Sequence, residues 1–323
     1  TKKIKKKIFK NIKIINPIID LENLNGRKIK YLFCLLILFK KIIFNRNYLV
    51  FAFQANLYCI ILCKLVGIKI ITRSNSSPEG WSKNPIKFYL YKKISSFADT
   101  IIVNSLEFKK EFKKKFSINA ICIFNPLNKK EIILKSKIKV KKIFNKGKLK
   151  LITVGRLVDQ KNQINILKAL NKIKHKLEFE LIIIGKGNLK NVLIEYIKKN
   201  KLQKYIKILD FKTNPYPYIK QSEVFLLSSK FEGLPNVLLE SQVLKKYIIS
   251  SNCPTGPKEI LLNGKAGDLF KINDHNKLAN YILKYKKNKF KNLQKIKLGY
   301  NSLSRYDFDK NLKKYNKNIS KFL

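Results

Sequence analysis

Short apolar runs alternate along the chain with longer segments in which Leu and Ile recur at three- and four-residue spacing among lysines. The short runs predict buried strands, and the longer segments predict amphipathic helices. Alternation of the two predicts βαβ units around parallel sheets. The predicted strands are 11–16, 48–53, 68–72, 99–104, 119–124, 149–154, 179–184, 205–209, 223–227, 246–250 and 268–270.

A polar, lysine-rich stretch at 126–148 separates two αβ halves and begins at Pro126. Such a stretch is typical of a seam between domains. We therefore expect a first domain at 1–135 and a second at 136–304. Residues 305–323 are expected to form a C-terminal helix that packs back on the first domain. A chain of 323 residues with 45% hydrophobic content can build both cores.

The formal net charge of +50 first suggests a nucleic-acid-binding protein, which stays open as an alternative function. Only five of the 70 basic residues are arginines, although base readout and bidentate phosphate contacts favour the guanidinium group. Lys, Asn and Ile are in excess along the whole chain, as codon bias towards A and T produces. We favour that explanation of the charge, which still creates a field that attracts anions.

The cysteines and apolar stretches favour a cytoplasmic protein. The five cysteines form no CxxC pair and are interpreted as buried thiols in a reducing compartment. No secretion signal is visible, and the longest apolar stretches are too short or too polar to span a bilayer. The lysine clusters 2–10 and 109–115 are either solvated faces or contacts to anionic lipid on the inner face of the plasma membrane.

The stretch 151–170 carries the first candidate chemistry. A hydrophobic strand ends at Gly155, Arg156 follows, and Lys161 precedes a helix expected to begin near Gln163. Glycine permits close backbone approach to a ligand, and two cations can close on one anion from two sides. The alternative is a pair of solvated cations; we favour a diphosphate clamp. A second strand ends in the Gly-x-Gly turn at 185–187, which is a weak signal alone but marks the same sheet edge.

The stretch 228–240 carries two acids, Glu232 and Glu240, around a Gly-Leu-Pro-Asn turn. A helix is expected to begin at Pro235, because proline suits the first helical position. Its free N–H groups and dipole make a site for phosphate. The acids would then accept hydrogen bonds from sugar and ribose hydroxyls, or else serve as a helix cap and a surface acid.

Residues 155–162 and 232–240 together resemble the retaining nucleotide-sugar glycosyltransferases of family 4, which carry a Glu-x7-Glu motif. The resemblance extends over about 149–270. It implies an α/β GT-B fold, with two Rossmann-like doubly wound domains facing a cleft. It also implies transfer of a hexose or N-acetylhexosamine from a UDP- or GDP-sugar to a lipid-linked, lipopolysaccharide or other surface-polysaccharide acceptor.

The resemblance assigns roles to individual residues. Arg156 and Lys161 would hold the phosphates, Glu232 the transferred sugar and Glu240 the ribose, with Phe211 near the base. The remaining donor-binding positions would be backbone groups, namely Gly155, Gly233, Leu234, Pro235 and Asn236. Arg156, Lys161 and Glu232 would form the catalytic set. Within it, Arg156 and Lys161, together with the helix N-terminus, would stabilise the leaving diphosphate without a metal or cofactor.

An Asp-x-Asp pair, Asp307 and Asp309, is interpreted as helix capping in preference to a metal site. On the acceptor side the resemblance indicates Asn56, Arg73 and Asn75, although many relatives have Glu at the position of Arg73. The first strand, glycine-rich loop and helix of the family are not recognisable, and the sequence contains no Met. We expect a longer gene to encode that unit; an inactive, truncated remnant is the alternative.

Overall fold

The computed structural model describes residues 15, 27–75 and 84–322. Two parallel β-sheets, each flanked by helices, divide this part of the chain. The predicted strand 11–16 lies outside the described residues except for Ile15, and so does the lysine cluster 2–10.

The first sheet has four parallel strands in the order β1-β2-β3-β4. Its pairing joins Leu49 to Lys69, Ile71 to Thr100 and Ile102 to Ile121. The elements of this half, in chain order, are α1 (Arg27–Ile43), β1 (Leu49–Ala52), α2 (Asn56–Val66), β2 (Lys69–Ser74), α3 (Pro85–Ser96), β3 (Thr100–Val103), α4 (Leu106–Phe116) and β4 (Ile121–Cys122).

The second sheet has six parallel strands in the order β10-β9-β8-β5-β6-β7. The elements of this half are α5 (Lys129–Ser136), β5 (Leu149–Val154), α6 (Gln163–Ile173), β6 (Phe179–Ile184), α7 (Lys190–Lys199), β7 (Ile206–Leu209), α8 (Tyr216–Gln221), β8 (Val224–Leu227), α9 (Asn236–Val243), β9 (Tyr247–Ser251), α10 (Pro257–Ile260), β10 (Asp268–Phe270), α11 (His275–Tyr285) and α12 (Lys289–Asn301). Helix α13 (Phe308–Ile319) ends the described chain.

Every predicted strand from 48–53 onward is present within two residues at each end, and β4 is the most shortened, with two residues where six were predicted. Strand β6 is buried along its whole length, on both faces of the sheet, which explains why its sequence is almost entirely apolar. Leu151, Leu167 and Phe179 belong to the core on one face of this sheet. Ile152, Leu238 and Tyr306 belong to the core on the other face.

The predicted linker contains regular structure. Helix α5 lies within 126–148, and Ile132 packs in the core of the second half together with Phe124 and Leu127. At the other end of the chain, Tyr315 of α13 packs against Ile71 and Ile102 of the first sheet. The division into 1–135, 136–304 and 305–323 stays a prediction.

Candidate functional site

The second sheet reverses its strand order beside β5. Strands β6 and β7 follow β5 on one side, whereas β8 and then β9 lie on the other. The loops after β5 and β8 therefore diverge from neighbouring strands at their carboxyl ends, which is where open αβ sheets bind ligands. These are the two loops that hold the predicted clamp and the first of the two acids.

Lys161 and Glu232 contact each other directly in this crevice. Lys161 Nζ donates to Glu232 Oε1 at 2.5 Å, and the Ser229 hydroxyl donates to the same oxygen at 2.6 Å. Glu232 as a whole residue is 7% exposed. Both side-chain hydrogen bonds that it receives from described residues fall on Oε1, which leaves Oε2 available for a ligand hydroxyl.

Arg156 lies in the same loop as Lys161 but is exposed and makes no ion pair with a described residue. Its Nη2 donates to Gln160 Oε1 at 3.1 Å, and Gln160 Nε2 in turn donates to the Phe231 carbonyl at 2.9 Å. Gln160 thus joins the loop that carries Arg156 to the loop that carries Glu232. The guanidinium retains free donors for an anion.

The two glycine turns of the sheet edge pack on each other. A Cβ at Gly185 would lie 1.9 Å from the Gly155 carbonyl oxygen, and one at Gly187 would lie 2.2 Å from the Leu157 carbonyl oxygen. Gly185 and Gly187 are therefore required by this contact. At Gly155, in contrast, an added Cβ would meet only the Lys161 side chain at an ordinary 3.8 Å.

Helix α9 begins at Asn236, one position later than expected. Pro235 is its N-cap, in an extended conformation with φ −71° and ψ 94°. The expectation that Pro235 occupies the first helical position was wrong, because its ψ of 94° is extended and not helical. Leu234 and Pro235 are buried, and Asn236 is exposed at the helix start.

Glu240 lies on the second turn of α9 beside Tyr216, whose hydroxyl donates to Glu240 Oε1 at 3.4 Å. Burial raises the pKa of the Glu240 carboxyl, and the Tyr216 hydrogen bond opposes this shift only in part. Burial, followed by the charge of Glu240, also raises the pKa of Tyr216. Phe211, beyond β7, is exposed with Lys186 Nζ 5.6 Å from its ring centroid.

The three acceptor-side residues Asn56, Arg73 and Asn75 line one cavity of about 520 Å³ in the first half. Asn56 Nδ2 donates to the Arg73 carbonyl at 3.0 Å. The Arg73 guanidinium bonds to Asn125 Oδ1 and lies near the rings of Phe53 and Tyr315. Residues 76–83, which follow Asn75, lie outside the described residues.

The two halves meet at the predicted donor loop. A Cβ at Gly233 would lie 1.9 Å from the Asn75 carbonyl oxygen, so only glycine permits this approach. Asn125 Nδ2 also donates to Asn236 Oδ1 at 2.6 Å. The acceptor-side residues Arg73 and Asn75 are thereby connected to the start of α9.

Asp307 caps α13, as predicted: its side chain accepts from the Lys310 N–H at 2.9 Å. Within the described residues, no cluster of three or more His, Cys, Asp or Glu side chains is arranged to hold a metal ion. Among the described helices, none is both long and apolar enough to cross a membrane.

The model of the family "Glycosyl transferases group 1" matches residues 135–302, slightly more than half of the chain. The chain belongs to this family. An uncharacterised glycosyltransferase of Methanocaldococcus jannaschii is 33% identical over 204 residues, which are 55% of this chain and 48% of that protein.

A Campylobacter jejuni enzyme, N-acetylgalactosamine-N,N'-diacetylbacillosaminyl-diphospho-undecaprenol 4-alpha-N-acetylgalactosaminyltransferase, is 27% identical over 231 residues. That alignment covers 68% of this chain and 62% of the enzyme. The chain thus spans less than two thirds of the length of both relatives.

The crystal structure of Anabaena HepE in complex with UDP superposes with a TM-score of 0.72 at 16% identity. It covers 89% of this chain and 82% of HepE. At this identity the likeness concerns the fold alone. Together with the parallel sheets it confirms the predicted GT-B fold with two Rossmann-like halves.

Several contacts at the site were not predicted from the sequence. They involve Ser229, which bonds to Glu232; Tyr216, which bonds to Glu240; and Gln160, which joins the two loops. A Ser-Ser pair directly after a strand is a weak signal for the first. Nothing in local sequence pairs Tyr216 with Glu240, since the contact depends on how α8 packs beside α9.

Proposed function

We propose that the protein is a retaining glycosyltransferase of family 4 that uses a nucleoside-diphosphate sugar as donor. The observation that carries this proposal is the convergence at the sheet's switch point of Arg156, Lys161 and Glu232 from the loops after β5 and β8. The arrangement supplies cations for a diphosphate and a buried carboxylate for sugar hydroxyls. The Glu-x7-Glu spacing of Glu232 and Glu240, which resembles the motif of family 4, supports the family 4 part of the proposal.

In the proposed reaction the bond between the anomeric carbon and the leaving diphosphate breaks, and the acceptor hydroxyl attacks from the same face. The proton of that hydroxyl passes to the departing diphosphate oxygen. Negative charge develops on the leaving group. Arg156 and Lys161 stabilise it, each by about 4 kcal/mol at 4 Å and an effective dielectric constant near 20 before desolvation costs. In this proposal no metal ion is needed, because two protein cations and the start of α9 serve the diphosphate.

Donor binding then changes the surroundings of Lys161. A phosphate oxygen and the Glu232 carboxylate share the ammonium group, which has three donors. Glu232 Oε2 receives a sugar hydroxyl, Glu240 receives the ribose, and Phe211 lies near the base. Gly155 and the backbone from Gly233 to Asn236 line the diphosphate and sugar.

We further propose a lipid-linked or surface-polysaccharide glycan as acceptor, bound on the side of Asn56, Arg73 and Asn75. The C. jejuni relative is named for a diphospho-undecaprenol-linked acceptor, and other relatives are named for O-antigen or capsule synthesis. A transferred N-acetylhexosamine agrees with the name of the C. jejuni relative, and a transferred hexose agrees with an Escherichia coli relative named as a galactosyltransferase. The cavity beside Arg73 offers a cation to such an acceptor.

We propose a cytoplasmic protein bound peripherally to the inner face of the plasma membrane through its first half. Helices α1, α2 and α3 contain no Asp or Glu, and α2 contacts both neighbours. Exposed apolar side chains form a stripe on each of the three helices, namely Leu32, Leu36 and Phe39; Tyr58, Ile61 and Leu65; and Ile86, Tyr89 and Leu90. An apolar surface can insert at the bilayer interface, and the absence of acids on these helices avoids repulsion from anionic lipid.

Helix α4 adds basic side chains to the same half. Its residues Phe108, Phe112 and Phe116 are buried, so Lys109, Lys110, Lys113 and Lys114 face outward.

The test is a screen of UDP- and GDP-sugars with membrane extracts as acceptor source, comparing the wild type with Glu232→Ala and Glu232→Gln. We expect sugar transfer by the wild type and loss of it in both variants. A matched control is Glu178→Gln, because Glu178 is exposed at the amino end of β6, opposite the crevice. Unchanged turnover in both Glu232 variants would remove this residue from the chemistry.

A nucleic-acid-binding protein is tested in the same preparation. Binding through phosphate contacts falls steeply with salt and requires no donor turnover. Strongly salt-dependent RNA or DNA binding without sugar transfer would favour this alternative.

A further inference from the structure

At the boundary between the two halves, a glutamate of each half accepts hydrogen bonds from the backbone of the other. Glu259 of α10, in the second half, accepts from the Leu106 N–H at 2.9 Å and from the Glu107 N–H at 3.2 Å. Glu107 of α4, in the first half, accepts from the Gly256 N–H at 3.2 Å. Each half thus supplies an acid to backbone donors of the other, across about 150 positions of sequence.

Glu259 accepts hydrogen bonds from N–H groups at the start of α4, which have no partner within the helix. Leu106 and Glu107 are the first residues of α4, and the Ser105 hydroxyl accepts from the next N–H, that of Phe108, at 3.1 Å. The positive end of the helix also favours a carboxylate there. Glu259 therefore fastens α4 to the second half.

The hydrogen bond from Gly256 to Glu107 holds the 253–256 turn, which has an unfavourable backbone conformation. Thr255 has φ +58° and Gly256 has φ +89°, and a β-branched residue rarely adopts a positive φ. Such strain persists only where surrounding contacts over-determine the conformation. The Thr255 hydroxyl donates to the Glu232 carbonyl at 2.5 Å, and the Gly256 N–H donates to Glu107.

The same turn packs against the donor loop. A Cβ at Gly256 would lie 2.4 Å from the Gly233 carbonyl oxygen and 2.6 Å from Pro235 Cδ. The Glu232 N–H points back to the Pro254 carbonyl at 3.4 Å. A displacement of the 253–256 turn would therefore move the backbone on both sides of Glu232.

We propose that Glu107 is a positioning residue of the donor site: by holding Gly256 it keeps the 253–256 turn against Gly233 and so keeps Glu232 in place for transfer. The proposal rests on the proposed function and makes correct placement of Glu232 depend on contact between the two halves. Burial, followed by the charge of Glu259, raises the pKa of Glu107, whereas the Gly256 hydrogen bond, Lys258 and Lys110 lower it. The carboxylate thus occupies this position at an electrostatic cost.

Three substitutions separate the acceptor oxygen from the charge. Glu107→Gln keeps an oxygen at the same reach and removes the charge, Glu107→Asp keeps the charge and shortens the side chain by one methylene, and Glu107→Ala removes both. Glu178→Ala is the control, since Glu178 is an exposed acid at the opposite edge of the sheet.

Amide hydrogen exchange tests the contact between Glu107 and Gly256 directly and needs no substrate. We expect faster amide exchange in peptides covering 253–256 and 231–235 in Glu107→Asp and Glu107→Ala, and wild-type exchange there in Glu107→Gln. Peptides from β6 should be unchanged in all variants. Unchanged exchange at 253–256 in both the Asp and Ala variants would overturn the proposal.

The kinetics of sugar transfer test the consequence for catalysis of displacing Glu232. We expect kcat to fall roughly 10- to 100-fold in the Asp and Ala variants, as for an active-site group misplaced by about 1 Å, with a smaller change in donor KM and near-wild-type kcat in the Gln variant. A purely structural role would lower Tm while leaving kcat per folded molecule intact, and that result would overturn the proposal. If the wild type itself transfers no sugar, the proposed function fails, and the exchange comparison still decides whether Glu107 holds the turn.

Discussion

Lys161 Nζ lies 2.5 Å from Glu232 Oε1, although 71 positions separate the two residues. The pair is largely enclosed, with 18% of the Lys161 side chain and 8% of the Glu232 side chain exposed. Lys161, which is predicted to bind phosphate, and Glu232, which is predicted to bind the sugar, therefore neutralise each other in this structure. Arg156, which forms no ion pair with a described residue, offers a spare positive charge in the crevice to an incoming diphosphate.

Lys161→Met should destabilise the protein and reduce transfer. Loss of the ammonium group leaves a buried carboxylate with Ser229 as its remaining described side-chain partner, at a cost of roughly 1–3 kcal/mol. Urea unfolding measures this cost. The matched control is Lys190→Met, whose ion pair with Asp210 is exposed and should contribute less than about 1 kcal/mol. Equal stability losses in the two variants would contradict the enclosed pair.

Gly185→Ala should destabilise the protein, whereas Gly155→Ala should leave its stability nearly unchanged. At Gly185 the added methyl group overlaps the Gly155 carbonyl, so we expect a loss of about 1–3 kcal/mol in the free energy of unfolding. At Gly155 the protein leaves room, so stability should change by less than about 0.5 kcal/mol. If a diphosphate approaches this backbone, Gly155→Ala should nevertheless weaken donor binding, measured by calorimetry with UDP. Unaltered UDP affinity would separate Gly155 from the donor site.

The positions of the strands could be predicted because buried parallel strands leave continuous apolar runs between polar helices. The same physics explains why the candidate loops were found: a glycine or a charge directly after an apolar run stands out. The beginning of α9 was misplaced by one residue, because proline suits both the first helical position and the position before it. Only the ψ angle of Pro235 distinguishes these two cases.

Contacts between the halves could not be predicted, because they depend on tertiary packing over long sequence separations. Glu107 reads as an ordinary first-turn acid of a lysine-rich helix, and Glu259 as an ordinary acid of a short one. Their reciprocal hydrogen bonds across the boundary form only because the fold brings α4 and α10 together. The helix within 126–148 was obscured because its many lysines mask a short apolar face.

Arg156→Ala should weaken donor binding and leave stability unchanged. The side chain is exposed and forms no ion pair with a described residue, so its removal costs the fold little. Each charge-assisted contact to phosphate contributes roughly 1.5–3 kcal/mol, which corresponds to a rise of about 10- to 100-fold in the donor dissociation constant. Arg46→Ala, at another exposed arginine, should leave donor binding unaltered. A donor affinity that is the same in both variants would argue against the clamp.

Glu240→Gln should stabilise the protein at neutral pH. Burial raises the pKa of Glu240 above the usual glutamate value of 4.5, so the folded state favours the protonated carboxyl. The stability that this group contributes is present below pH 4.5 and is lost as pH rises through its raised pKa. The wild type therefore holds a buried charge at neutral pH at a cost that the neutral amide avoids.

The stability gain of Glu240→Gln should shrink as the pH falls towards 4.5, as measured by urea unfolding across this range. Glu178→Gln, at an exposed position, should follow the wild type throughout. UDP affinity should move in the opposite direction, because a carboxylate accepts a stronger hydrogen bond from a ribose hydroxyl than an amide does. A variant that is more stable but binds UDP more weakly identifies a residue kept for binding at the expense of stability. A gain in stability with unaltered UDP affinity would instead make Glu240 a buried acid that does not contact the ribose.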